Sequence, residues 1–405
     1  MANTLNLGTD GNWGTKEGSV LGYNSENGNF KPLPFNFTRA TSATRVNKEG
    51  LIDVVGNNEP RIDFKDDSKG ALLLEPSRTN ILPYSNKFIN TGWQYYRGTI
   101  IANATISPDG TLNASRYQED SQTGGHLFRR QSLSITNGLS YTGSIFVKKG
   151  ELSVVRLASN STSRWDAGAE FNLENGTVTS GTGVIEDYGN GWYRCSISGN
   201  AVETTTVAGF EIYTSVGAGR DGQGLFMYGA MFEQGSYATS YIPTSGSAVT
   251  RVADVCNNGG NEQVINSTEG VLYVETSALS NDLSERRFGL SDGTSSNVIR
   301  VGYTGISNRI IAVIYNGSNQ AIMTYTPSDI TQNSKIAVKY KENDFALWVD
   351  GVERSTDTNG TVFAANTLNS LDFNIGGGSH FYSKTKDVRV YNTALTDQEL
   401  AELTS

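Results

Sequence analysis

Cysteine and histidine are almost missing from this chain, with two of each in 405 residues. Cys195 and Cys256 lie far apart, and neither belongs to a CxxC pair. A zinc ligand set or a disulfide framework is therefore not expected, and the better reading is two free thiols. That leaves the redox compartment open. His126 and His380 fall in different parts of the chain. A Ser-His-Asp or Cys-His arrangement has little to draw on, and both histidines read as surface or loop residues. Proline is scarce, at 8 residues, and periodic runs of good helix formers are rare. There is no Lys/Arg block, and the net charge is −9. Non-specific nucleic-acid binding, which neutralises phosphates with basic patches, is excluded as an expectation. No stretch approaches the ~20 apolar residues of a membrane helix, so no membrane insertion is expected. The opening "MANTLNLGTDGNWG" has neither a basic n-region nor an apolar h-region. It does not read as a Sec signal peptide.

What the chain has is glycine, 45 residues of it, with many Thr, Ser, Asn and Tyr. Gly and Asn suit tight turns, while Thr, Val and Tyr fit a pleated surface. The fold class expected is all-β: two β-sandwich (jelly-roll) domains in tandem, preceded by an extended N-terminal segment. The length suits two or three units at roughly 100–200 residues each.

The expected borders are 1–60, 61–255 and 256–405. Residues 1–34 are polar, with isolated Leu5, Leu7, Trp13 and Tyr23. Such a segment cannot close its own core; it is floppy alone or orders against another surface. From 99 to 240 strand follows strand. In "YTGSIFVKKG", Tyr141, Gly143, Ile145 and Val147 share one face. "NLENGTV" places Asn175-Gly176 in a type I′ turn, and "KENDFALWVDGVE" does the same with Asp350-Gly351. A second β series begins near 270. One helix is expected at the end, capped by Thr396 with Glu399 three residues on.

Two short strings nearly repeat: "SATRV" at 42–46 and "SAVTRV" at 247–252. Duplication would need matching flanks, and "NKEGLI" does not match "ADVCNN". Chance stays open. The preferred reading is a pair of brackets: one string enters the jelly roll and the other leaves it, both as outside straps.

Two resemblances add to this. The ordered set "KIAVKYKENDFALWVDGVE", "LDFNIGGG" and "DVRVYNTALTDQELAEL" resembles a laminin-G or concanavalin-A-like lectin/glucanase sandwich. Members often carry a Gly-x-Ile stretch before the last strand, where this chain has "HFYSKTKDVRV". Region 35–255 resembles a module of bacteriophage tail and fibre proteins. It does so through "FTRATSATRVNKEGLI", "GALLLEPSRTNILPYSNKF", "YTGSIFVKKGE", "GNGWYRC" and "FEQGSYATSYIPTSGSAVTRVADV". That likeness implies a virion protein with a jelly roll like a carbohydrate-binding module.

Catalysis finds little support in the residues. Sugar hydrolysis needs two carboxylates flanking one bond. Glucanases of the concanavalin-A-like fold carry Glu-x-Asp-x-x-Glu on one strand, where "KDVRVY" has Asp387 alone. Asp66-Asp67 reads as a solvated loop pair. Binding is easier to support, because aromatic rings stack on sugar faces while Asn, Asp, Gln and Arg pair with hydroxyls. The candidates are Trp165 in "STSRWDAG", Tyr213 in "EIYTS", and Trp93, Tyr95 and Tyr96 in "GWQYYRG". In the C-terminal sandwich they are Tyr303, Tyr315, His380 and Tyr382. Trp192 and Trp348 read as core. No cofactor is expected. Structural calcium, a common ion of both sandwich classes, could draw on Asp282, Asp292 and Asp350, but no loop concentrates carboxylates, so no metal is predicted.

The resemblances imply a structural protein of a tailed-bacteriophage virion: a tail fibre, head fibre or decoration protein. It is made in the host cytoplasm, located on the virion, and projects its sandwiches to host-surface glycans. Residues 1–60 are the expected attachment to other virion proteins, and a homo-oligomer, in fibres usually a trimer, is expected. Two other readings stay open: a polysaccharide-degrading tail enzyme, and a cement protein that binds no glycan.

Overall fold

The computed structural model describes residues 3–29, 33–89 and 91–405. Strands make up about half of the chain, and among the described residues one α-helix, Asp397–Thr404, lies at its end. It divides into two compact units, and both are discontinuous in sequence. The first comprises the stretch through Ser42, Val55–Pro76 and Val252–Ser405; the second comprises Ala43–Val54 and Ser77–Arg251.

This differs from three consecutive pieces. The leader does not stand apart, because its apolar residues complete the C-terminal sandwich. Strand Leu5–Leu7 pairs antiparallel with Ser383–Tyr391, setting Leu5 opposite Val390 and Leu7 opposite Val388. Leu5, Leu7 and Val20 are buried in the core of that unit. Strand Ala71–Leu74 joins the same sheet beside Ser383–Tyr391. Leu5, Leu7 and Val20, in a segment expected to order against another surface, pack within their own chain.

The first unit is a sandwich. An eight-stranded sheet, centred on Glu269–Ala278 and Ser383–Tyr391, faces a five-stranded sheet built from Arg286–Ser291, Asn297–Tyr303, Ile310–Asn316, Asn319–Tyr325 and Ser370–Asp372. Alternating residues from both sheets fill one core, among them Leu272, Val274, Ile299, Val301, Ala312 and Val388. The terminal helix covers part of the eight-stranded sheet's outer face, where Leu400 packs with Val271, Tyr273 and Trp348. Thr396 and Glu399 form the capping box expected from the sequence. At Asp350-Gly351 both φ values are positive, 51° and 75°, as a type I′ hairpin requires. At Asn175-Gly176 only Gly176 is left-handed. Its N–H reaches back to the carbonyl of Asn172, making a longer loop than the type I′ turn expected there.

The second unit packs two six-stranded sheets. Tyr141, Ile145 and Val147 enter its main core, and Phe146 faces the other way into a smaller cluster with Trp192, Tyr228 and Tyr241. The strand Ser140–Lys149 is therefore buried on both sides.

The chain enters the second unit between Ser42 and Ala43 and leaves it between Arg251 and Val252, inside the two near-repeated strings. The straps are less exposed than their polarity suggests: Ala43, Thr44, Val46 and Arg251 are all buried. A buried ionic group in the first unit holds the chain beside each crossing. Arg39 Nη1 lies 3.1 Å from Asp254 Oδ1, Arg61 Nη1 lies 2.6 Å from Glu75 Oε2, and Arg61 also pairs with Asp254. Arg39 donates to the carbonyls of Thr41 at 2.8 Å and Gly56 at 2.6 Å. Burial works against the Arg61 charge, yet Asp254 and Glu75 outweigh it and raise its pKa.

Candidate functional site

The outward face of one six-stranded sheet in the second unit carries a connected polar ladder. Its strands run in the order Trp93–Tyr96, His126–Ile135, Thr205–Ser215, Val154–Ser159, Gly168–Asn172 and Thr177–Gly181. Trp93, Phe128, Phe210 and Ile212 point into the core, so the alternate residues Gln94, Tyr96, Arg129, Glu211 and Tyr213 point away from it. Register completes the arrangement, because Gln94 sits opposite Arg129 and Arg129 opposite Glu211.

Arg129 is the centre. Its Nε donates to Gln94 Oε1 at 3.1 Å, and its Nη1 to Glu211 Oε1 at 2.9 Å. Its Nη2 donates to the Tyr96 hydroxyl at 2.6 Å, while the guanidinium carbon stands 4.6 Å from the Tyr96 ring centroid. The other oxygen of Glu211 accepts from the Tyr213 hydroxyl at 2.6 Å. Burial, then the Glu211 carboxylate, push the Tyr213 phenol up to about 12. Arg156, exposed, lies over the Tyr213 ring at 5.7 Å. Glu211 is 4% exposed and Tyr96 37% exposed. The ladder thus fixes hydrogen-bonding groups from beneath while leaving an aromatic surface open.

The structure separates the candidates read from the sequence. Tyr213 belongs to the ladder. Trp165 does not face solvent: it is fully buried against Phe210 and Phe232, and its indole N–H donates to the Gly199 carbonyl at 3.0 Å. Its polar neighbours form the turn above it, while the ring drops into the core. Trp93 and Tyr303 are also core residues, 5% and 3% exposed. Tyr303 stacks on Phe381. Tyr95 is exposed but has the parity of Trp93, on an edge strand and away from the ladder. Tyr315 is half-buried on the five-stranded sheet of the first unit. His380 and Tyr382, both half-buried, stack at 5.4 Å between ring centroids. Gln94, Arg129 and Glu211 were missed. The local signal was a charge set directly beside apolar strand residues: Arg129 after Leu127 and Phe128 in "HLFRRQ", and Glu211 between Phe210 and Ile212 in "FEIYT".

A carboxylate pair does occur elsewhere, on the first unit. Register sets Glu275 opposite Asp387. Burial raises the Asp387 pKa, but both its oxygens are occupied: Thr9 Oγ1 donates at 2.7 Å, and Arg389 donates twice, at 2.9 and 2.6 Å. Glu275 accepts from Asn333 at 2.8 Å. A cleft of about 490 Å³ beside them is lined by Tyr273, Lys335 and Lys386 among others. The lysines there are paired as well, Lys386 with Asp67 and Lys335 with the Ser405 carbonyl. Asp66 and Asp67 lie in a loop as read from the sequence, and exposed Asp66 is also bound by Lys65 and Lys384. Burial opposes its charge, but the two lysines outweigh it and bring it down to about 2.

Cys195 and Cys256 are free and buried. Among the described residues no group of three or more His, Cys, Asp and Glu side chains is placed to hold a metal ion. Asp282 pairs with Arg286, Asp292 accepts from Thr294 and Asn297, and Asp350 accepts from the Lys335 N–H. No helix among the described residues is long and apolar enough to cross a membrane.

These features define an all-β protein with a concanavalin A-like, laminin G-like sandwich. Residues 274–401 match the family model described as the concanavalin A-like lectin/glucanases superfamily. Solved structures similar to the chain include a CBM40 module of the Ruminococcus gnavus IT-sialidase bound to α2,3-sialyllactose. It is 14% identical, covers 37% of this chain and 94% of that one, and has a TM-score of 0.31. A putative carbohydrate-binding protein from Bacteroides ovatus is 13% identical over 70% and 80% of the two chains, with a TM-score of 0.28. Domains LG4-5 of the mouse laminin α1 chain are 10% identical over 68% and 90%, with a TM-score of 0.24. At these scores no ligand or partner carries over to this chain. No curated protein matches it.

Proposed function

We propose that this protein binds glycans without cleaving them, and that the second unit holds sugar on the ladder of Gln94, Tyr96, Arg129, Glu211 and Tyr213. The observation that carries this reading is the Arg129 network. A guanidinium fixed by three side chains, beside an open tyrosine ring, offers polar partners for hydroxyls next to a surface for the C–H face of a sugar. Groups already held in place lose little freedom on binding. The same groups suit binding better than hydrolysis, since both oxygens of Glu211 are engaged and no second carboxylate hydrogen-bonds within the network.

The setting we propose is the virion of a tailed phage, on the strength of the sequence likeness of region 35–255. There the sandwiches face host-surface glycans, and a homo-oligomer, a trimer by analogy with fibres, multiplies weak contacts through effective concentration. Attachment to the particle falls to a surface other than the buried N-terminal strands.

A glycan array that includes host lipopolysaccharide and capsule tests the reading. Binding to at least one glycan is expected, weakened about tenfold or more by Tyr96→Ala, a loss of ~1.4 kcal/mol. Silence across the array, or release of new reducing ends from a bound polysaccharide, would overturn it.

A further inference from the structure

The first unit carries a second arginine-bearing face, built in a different way. In the strand Arg286–Ser291, Phe288 and Leu290 point into the core, so Arg287 and Gly289 point outward. In Asn297–Tyr303, Ile299, Val301 and Tyr303 point inward, so Arg300 and Gly302 point outward. Register sets Arg287 opposite Gly302 and Arg300 opposite Gly289. Each arginine therefore lies beside a position with no side chain. A Cβ at Gly302 would stand 1.8 Å from the Arg286 carbonyl oxygen, and one at Gly289 would stand 2.1 Å from that of Ile299. Backbone approach keeps both gaps open.

Arg300 is half-buried, yet it makes no hydrogen bond or ion pair with any described residue. A guanidinium carries five donors, and withdrawing its charge from water without a partner is unfavourable. Burial, followed by the like charge of Arg287, lowers its pKa, and the attraction of the Glu285 carboxylate offsets this only in part. Arg287 pairs with the carboxylate of Glu285 at 2.5 Å, which is itself about half exposed. His380 borders the gap, bridged to Arg287 through the backbone. The carboxylate on this row, Asp372, is separated from Arg300 by Gly289 and already accepts from Ser370, Ser291 and the Asn258 N–H.

We infer that this face is a second binding site, independent of the ladder, which takes an oxyanion of an acidic polysaccharide, a carboxylate or a sulfate, between Arg287 and Arg300. Two like charges side by side, one of them unpaired, are what an oxyanion would neutralise, and a guanidinium matches its geometry bidentately. The net charge of −9 opposes general attraction of polyanions, so binding has to come from a local site.

The full chain is titrated with dextran sulfate, polygalacturonate and neutral dextran at low and moderate salt. One or both polyanions are expected to bind, more weakly as salt rises, while dextran does not compete. The polyanion that binds identifies the group as sulfate or carboxylate. Arg300→Met keeps the apolar stem and removes the charge, and it is expected to weaken binding by roughly tenfold or more, the scale of one charge-assisted contact. Arg300→Lys restores part of it. Tyr96→Ala leaves polyanion binding unchanged, so failure of the ladder and failure of this site are told apart. Absence of polyanion binding, or equal binding by Arg300→Met with unaltered thermal unfolding, would overturn the inference.

Discussion

Each unit turns an arginine away from a sheet, and the two arginines are held in opposite ways. Arg129 in the second unit is bonded to Gln94, Tyr96 and Glu211. Arg300 in the first unit has no such partner among the described residues and stands beside gaps left by glycine. The contrast shows what identical residue types can do. A guanidinium held by three side chains is fixed in place, and it stiffens the groups around it that meet a ligand. One whose donors are unsatisfied is itself the ligand-seeking group. The same contrast runs through the carboxylates. Asp254 is consumed by two buried arginines and the Glu75 N–H, and Asp387 by Arg389 and Thr9.

Variants can break this comparison, and the largest effect is expected at the most fully paired group. Asp254→Ala removes the carboxylate that Arg39 and Arg61 share in a fully buried setting, leaving Arg61 its pair with Glu75. A loss of ~3–5 kcal/mol is expected, read by chemical denaturation, because one partner of a buried ion-pair network is removed and the buried positive charge is less compensated. A loss below ~1 kcal/mol would mean that the chain beside these crossings is held by packing and not by this network. Glu211→Gln comes next. It leaves Arg129 facing a neutral amide, with a cost of ~1–3 kcal/mol. It also has a pH signature. The Tyr213 pKa is raised in the folded state, so its contribution is full below the ordinary tyrosine range and is lost as pH rises through about 12. In the variant the phenol, followed by ultraviolet absorbance, is expected to titrate lower. Arg300→Met is the smallest, within ~0.5 kcal/mol of the parent stability, since no described hydrogen bond or ion pair is broken.

Much of the fold was legible because its signals are local. Alternation marked the strands, the positive φ values of Asp350-Gly351 follow from a two-residue hairpin, and Thr396 with Glu399 caps the helix as their spacing implied. What escaped was carried by distance in the chain. Nothing near Leu5 or Leu7 indicates that they pair with Val390 and Val388. The leader therefore read as a separate segment when it is part of a sheet. The site divided along the same line. Tyr213 was legible as an aromatic in an alternating strand, but the partners that make it part of a site arrive by cross-strand register from Arg129 and Gln94. Trp165 misled because polar flanks describe the turn, while its ring obeys the packing beneath it.

A crystal structure of the chain with the strongest neutral glycan from the array tests the central claim most directly. A sugar ring is expected within about 4.5 Å of the Tyr96 ring, with hydroxyls meeting Gln94 and Arg129. A glycan bound elsewhere with that sheet face bare would contradict it.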